Sequence, residues 1–118
     1  MEIKKLAQIQ KEFDAKHGWI LESNSSKAKL EMINKDLIGL FGEIGEFANL
    51  IKKLNIEMEK SENTLDSRFS DAQNSLNEEI IDSFIYLFRI ATHLDLDIED
   101  VYLNKLAVNR EKYRKYEE

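Results

Sequence analysis

The chain of 118 residues contains no cysteine and no proline. The absence of cysteine excludes disulfides and thiolate metal sites. No apolar run reaches the length of a membrane span, and the amphipathic N-terminus lacks the continuous apolar region of a signal peptide. We therefore expect a cytoplasmic protein that has no membrane partner.

Basic residues are scarce relative to acidic ones. Seventeen lysines and arginines stand against 23 aspartates and glutamates, which gives a net charge of −6. Binding to a nucleic-acid backbone requires clustered Lys and Arg, so we do not expect a nucleic-acid polymer as a partner. The length and the 42% of hydrophobic residues suit a single domain, residues 1–118, with one core.

Strand signals are weak, because no alternating run of β-branched residues is bounded by turn pairs. Apolar residues instead recur at helical spacing, and we predict an all-α, four-helix-bundle-like fold. The third helix, which is apolar on most sides, should be central and most buried. The polar residues 55–74 should form a mobile connection, in which some helix is possible. The helices are predicted over residues 2–16, roughly 27–54, from a capping box at 75–78 to about 94, and from an N-cap at 97–100 to about 116.

The link between the first two helices also carries signals. Gly18 should end the first helix, since glycine commonly follows the last helical turn. Residues 19–21 then form an apolar link, and the polar residues 22–26 form a turn with a helix start signal.

The most informative feature is a pair of acidic motifs, Glu43-Ile-Gly-Glu46 and Glu79-Ile-Ile-Asp82, whose four acids we call the acidic quartet. Residues three apart on a helix share a face, with about 5–6 Å between their Cβ atoms. If the two stripes face each other, four negative charges converge, and leaving several of them unpaired in a core is costly. The quartet must then be hydrated, protonated or neutralised by a cation. The simplest cation for oxygen-only ligands is Mg²⁺ or Mn²⁺.

A solvated helix face also produces acids at this spacing, but few positions of the third helix are polar. Gly39, Gly42 and Gly45 flank the first acidic stripe, and each costs about 1 kcal/mol relative to alanine inside a helix. They leave space beside the carboxylates for a ligand or for the close packing of another helix. The two interpretations are compatible.

Four further residues could contact a ligand. Tyr86, one turn beyond Asp82, could hydrogen-bond a ligand or a carboxylate, or be a core tyrosine whose hydroxyl reaches the surface. Lys105 and Asn109, four apart on the fourth helix, could hold phosphate oxygens, although a charged solvated face is commoner. Trp19 could stack on a base, but the residues alone favour a hydrophobic plug between the first two helices.

Neither histidine fits the acidic site. His93 is eleven residues from Asp82, about 16 Å along a helix, which is too far to share a metal ion. Ferritin-like di-iron bundles require Glu-x-x-His pairs, and neither His17 nor His93 lies three residues after a glutamate. We expect both histidines at the surface or at a helix end.

Together the motifs resemble those of the MazG-like nucleotide pyrophosphohydrolases, the all-α NTP pyrophosphatase superfamily. The family signature is an E-x-x-E helix, a spacer and an E-x-x-D helix, which the acidic quartet matches. The segment from Lys105 to Tyr113 is similar to a downstream family element. Trp19 and Tyr86 resemble the dCTP-pyrophosphatase and dimeric-dUTPase-like branch. Gly42 stands where the family often carries another acid, and the spacer is longer and more polar than usual.

The resemblance implies Mg²⁺-dependent hydrolysis of a nucleoside triphosphate to a monophosphate and pyrophosphate, with Mn²⁺ as a possible substitute, by a homodimer or homotetramer. It assigns metal binding and catalysis to the acidic quartet, with Glu43 or Glu46 also orienting the attacking water. It assigns substrate binding to Lys105, Asn109, Tyr86 and Trp19.

The leading hypothesis is nucleotide-pool housekeeping on a deoxynucleoside triphosphate such as dCTP or dUTP. One alternative is a pyrophosphohydrolase that acts on phosphoribosyl-ATP or a modified nucleotide. Another is a non-catalytic helical interaction module. The intact acidic quartet argues against the module, because a decayed enzyme would tolerate its loss.

Overall fold

The computed structural model describes residues 2–20 and 25–117. It is 89% helical, with no strand among the described residues, which confirms the all-α, four-helix-bundle-like fold class. None of the described helices is both long and apolar enough to cross a membrane. Two 3₁₀ turns, Glu62–Thr64 and Arg114–Tyr116, accompany the longer helices. The four longer helices are α1 (Glu2–Lys16), α2 (Ser26–Lys60), α3 (Leu65–His93) and α4 (Ile98–Lys112).

The end of α1 follows the glycine signal. Gly18 adopts a φ of +71°, the left-handed conformation that glycine reaches without strain. Its N–H donates to the carbonyl of Ala15 at 3.1 Å, and the N–H of Trp19 donates to the carbonyl of Asp14 at 3.0 Å. This pair of hydrogen bonds terminates α1 and fixes the direction in which the chain continues at Trp19. Leu21 of the predicted link and residues 22–24 of the predicted turn lie outside the described residues.

Two of the three predicted helix starts are confirmed. Ser25 Oγ accepts the N–H of Ala28 at 3.3 Å, and Asp97 Oδ1 accepts the N–H of Asp100 at 3.0 Å, so each caps the helix that follows it. The predicted capping box at 75–78 is wrong, because those residues lie inside α3.

Residues 55–74 are mostly helical, so the prediction of a mobile connection is wrong and only the possibility of helix within it is confirmed. α2 and α3 run through this segment and leave only a short 3₁₀ turn between them. Its polar residues are the solvated faces of helices, which have the same composition as a loop. The turn is held where Thr64 Oγ1 donates to Glu57 Oε1 at 2.6 Å.

The packing is dominated by α2 and α3, which form a long antiparallel pair. α1 packs against α3, and α4 packs against α1 rather than along α2 or α3 within the described part of the chain. α3 is therefore the central helix, as predicted. It is not buried on most sides, because Ile80, Ile81 and Phe84 remain 41%, 56% and 49% exposed.

Few apolar side chains are buried in this arrangement. Among the described residues, only Leu40, Leu54, Leu76 and Ala91 are buried apolar residues. The accessible surface is 9404 Å², whereas a compact monomer of 13.8 kDa exposes about 6,600 Å². The radius of gyration is 18.5 Å, against about 13.5 Å for a compact domain of this length. A single chain thus leaves surface exposed that a compact domain would bury.

Candidate metal centre

The antiparallel register of α2 and α3 brings the two acidic motifs together. Glu43 on α2 faces Glu79 and Asp82 on α3, and one carboxylate oxygen of each lies within 4.8 Å of the others. All three side chains are half-buried. Two turns of facing helices thus place three oxygen ligands around one point.

Glu46, the fourth acid of the quartet, interacts with Glu79. Protonated Glu79 donates a hydrogen bond that the carboxylates of Glu43 and then Glu46 accept, and this, with burial and the charges of both neighbours, raises the pKa of Glu79 to about 8. Like charges at this separation cannot all ionise cheaply, so the metal-free cluster retains a proton at neutral pH. Glu46 itself is exposed and stands outside the tight group of three.

The cluster fits a hard divalent cation. Glu79 Oε2 is buried and has no hydrogen-bond partner, which is costly for a polar atom unless something fills its coordination. The ligands are all carboxylate oxygens, the donor type that Mg²⁺ and Mn²⁺ prefer. The donor chemistry and the orphaned oxygen therefore agree with a magnesium site.

Tyr86 lies one turn from Asp82 and crosses to α2 at Gly39. The ring occupies the position that a Cβ on Gly39 would take. Close packing of a side chain therefore explains Gly39. No atom lies within 4 Å of where a Cβ on Gly42 or Gly45 would be, so those two glycines leave open space beside the acidic stripe.

Trp19 lines a separate pocket near the end of α1, which Tyr86 also lines and the acidic quartet does not. It is 49% exposed, so the interpretation as a buried plug is wrong. Its ring stacks on His17 with a centroid distance of 4.7 Å, and the guanidinium carbon of Arg89 lies 4.8 Å from its centroid. The hydrogen bonds that end α1 at Gly18 direct the Trp19 ring toward Arg89, so the ring is not buried between helices.

Lys105 and Asn109 are not brought to the quartet within one chain. Both lie on α4, which packs against α1 rather than α2 or α3. Lys105 is exposed and Asn109 half-buried. Any contact between these residues and the acidic cluster would need a second copy of the chain.

Two buried polar pairs escaped the sequence analysis. His93 was expected at the surface or at a helix end; it closes α3 but is buried, and its Nε2–H donates to Asp36 Oδ2 at 2.7 Å. Arg89 Nε lies 3.0 Å from Oδ1 of the fully buried Asp14, an ion-pair distance, although the N–H is not directed at an acceptor. The one available signal was periodicity, since Asp36 shares the stripe of Gly39 and Glu43. No sequence signal identified His93, 57 residues away, as the partner of Asp36.

Comparison with known proteins does not identify a relative. No family model matches the chain, and no curated protein or solved structure matches it significantly. The functional argument therefore depends on the residues and their geometry.

Proposed function

We propose that the chain is a Mg²⁺-dependent nucleoside triphosphate pyrophosphohydrolase that converts a (d)NTP to a (d)NMP and pyrophosphate. The observation that supports this most is the convergence of Glu43, Glu79 and Asp82 around one point, with Glu46 at its edge. An acidic cluster cannot bind a polyanion by itself. Bound Mg²⁺ supplies the positive charge that neutralises the triphosphate and stabilises charge during transfer.

We assign each acid of the quartet a role in the proposed reaction. Glu43, Glu79 and Asp82 hold the cation, and Glu79 must release its proton to do so. Glu46, exposed at the rim, or Glu43 orients the attacking water and accepts its proton. In the reaction one P–O bond to the water oxygen forms, the bridging P–O bond between the α- and β-phosphates breaks, and pyrophosphate leaves.

The substrate side of the site is formed by Tyr86 and Trp19 within the chain. We assign Lys105 and Asn109 to a partner copy, because α4 stands away from the α2–α3 pair of its own chain. The extended surface supports this: the total accessible surface of 9404 Å² exceeds that of a compact monomer by about 2,800 Å². An obligate interface takes about 1,000–2,500 Å² from each subunit, so the excess is large enough for one. The proposed assembly is a homodimer or homotetramer, and the proposed location is the cytoplasm, where nucleotide pools reside.

Pyrophosphate release tests the proposal. The purified protein is incubated with a panel of NTPs and dNTPs with and without Mg²⁺, and pyrophosphate is measured through a coupled pyrophosphatase. We expect release from at least one nucleotide, only with Mg²⁺. Glu79→Gln should reduce kcat at least 100-fold while leaving the circular dichroism spectrum unchanged, because it removes a ligand and keeps the shape.

The matched control is Glu59→Gln, which changes an exposed glutamate on α2 about 20 Å along the helix from Glu46. It should retain full activity. Absence of pyrophosphate from every nucleotide would reject the enzyme and favour the interaction module. Undiminished turnover by Glu79→Gln would remove Glu79 from the site.

A further inference from the structure

A pocket of about 490 Å³ lies between the end of α1 and the α2–α3 pair. It follows the same α2 stripe as the metal ligands, since Asp36 stands seven residues, about 10 Å of helix, before Glu43. Its walls are the side chains of Trp19, Met32, Lys35, Asp36, Tyr86 and Arg89. The pocket is thus partly aromatic and carries a fixed carboxylate at one wall.

A hydrogen bond from His93 fixes the carboxylate of Asp36. The residue is only 8% exposed, and its Oδ2 accepts the Nε2–H of His93, whose side chain is 1% exposed, at 2.7 Å. A carboxylate has two oxygens and about four acceptor positions, so this bond leaves acceptor capacity at the pocket wall.

Arg89 forms a flat surface in the same pocket. Its guanidinium carbon lies 4.8 Å from the centroid of Trp19 and 5.1 Å from that of Tyr86. Its Nε is 3.0 Å from Asp14 Oδ1, which anchors the group. Planar guanidinium and aromatic side chains provide the surfaces on which nucleic-acid bases stack.

We propose that this pocket binds a nucleobase that carries an exocyclic amine, with Asp36 as the acceptor that selects it. The amine donates to the carboxylate. The carbonyl oxygen that uracil or thymine carries at the equivalent position has no hydrogen to donate and would be repelled by the negative charge. Lys35 donates to a ring acceptor beside the amine. The inference rests on the proposed function for the reason a nucleotide is bound, and it specifies the base that the sequence left open.

Binding of free nucleosides tests the selection apart from turnover. Trp19 is the only tryptophan, so a single indole N–H signal in a ¹H–¹⁵N spectrum reports on the pocket. The metal-free protein is titrated with deoxycytidine and deoxyuridine, which carry no phosphate for the acidic quartet to repel. Their base edges differ at C4, an amine against a carbonyl, and at the adjacent N3, an acceptor against an N–H, and these are the positions assigned to Asp36 and Lys35. We expect deoxycytidine to shift the Trp19 signal with a Kd at least tenfold lower, as one hydrogen bond to a charged group provides.

Asp36→Asn provides the second test, because an amide both donates and accepts and can still accept from His93. The preference should fall to threefold or less. The control Asp71→Asn, at an exposed position on α3, should keep it. Equal affinities in the unaltered protein, no Trp19 shift with either nucleoside, or an Asp36→Asn variant that keeps the preference would overturn the inference. If deoxycytidine is preferred but no nucleotide yields pyrophosphate, the base subsite stands and the proposed hydrolysis fails.

Discussion

At the scale of single residues, Glu79 controls the charge balance of the cluster. Its neighbours Glu43 and Glu46 raise its pKa from 4.5 to about 8, first through carboxyl–carboxyl hydrogen bonds, then through burial and repulsion. Glu79 is the cluster member with a buried oxygen that finds no partner. In the proposed metal centre a proton and a cation would therefore compete for the same group.

The raised pKa predicts how stability depends on pH. Between about 4.5 and about 8 the folded metal-free chain binds more protons at Glu79 than the unfolded chain. Stability from this group is thus complete below the lower value and is lost as pH rises through the upper one. If Mg²⁺ binds as proposed, it would replace the proton, so the increase in Tm that it produces should grow with pH up to about 8.

Thermal melts with EDTA or with Mg²⁺ across this pH range measure the effect. Glu79→Gln should lose the growth of the Mg²⁺ effect with pH, while Glu59→Gln should keep it. A Mg²⁺ effect that is constant or shrinks as pH rises would contradict the account of Glu79.

At the scale of elements, the approach of α2 to α3 depends on Gly39. A methyl group there would occupy the space of the Tyr86 ring, so Gly39→Ala should destabilise the chain by about 1–3 kcal/mol through overpacking. Gly42→Ala meets no atom within 4 Å and should stabilise it by up to about 1 kcal/mol through helix propensity.

Urea unfolding of the two variants separates these effects. The comparison is sharp because both substitutions add one methyl group to the same helix, three residues apart. If Gly39→Ala proved as stable as Gly42→Ala, the close contact with Tyr86 would be wrong. A loss in Gly42→Ala would indicate that a second copy packs on that backbone.

The elements also show what the sequence could predict. Local signals sufficed for α1, for the caps Ser25 and Asp97, and for placing both acidic motifs on helices. The segment 55–74 was missed because a solvated helix and a polar loop share one composition. The bond between Asp36 and His93 was missed because it joins residues 57 apart, and only the register of α2 on α3 brings them together.

At the scale of the whole molecule, the small core and large surface support the proposed homo-oligomer. Phe41 and Ile44 on α2 are 66% and 46% exposed, and Phe84 and Leu87 on α3 are 49% and 47% exposed. Exposed apolar residues at helical spacing on both principal helices mark an interaction surface. A second copy is the occupant that would also bring α4, with Lys105 and Asn109, to the acidic quartet.

Light scattering coupled to size-exclusion chromatography should therefore give a mass of at least twice 13.8 kDa. Phe41→Glu should lower that mass or the stability, because a charge would enter the interface, whereas Glu59→Gln should change neither. A stable, folded monomer at micromolar concentration would refute oligomerisation and with it the placement of Lys105 and Asn109.

Calorimetric titration with Mn²⁺ tests the metal centre most directly, because it needs neither substrate nor turnover. The unaltered protein and Glu59→Gln should bind Mn²⁺ saturably with a fixed stoichiometry, while Glu79→Gln should bind at least tenfold more weakly. Heats that never saturate, or equal binding by Glu79→Gln, would contradict the claim that α2 and α3 aim their carboxylates at one cation.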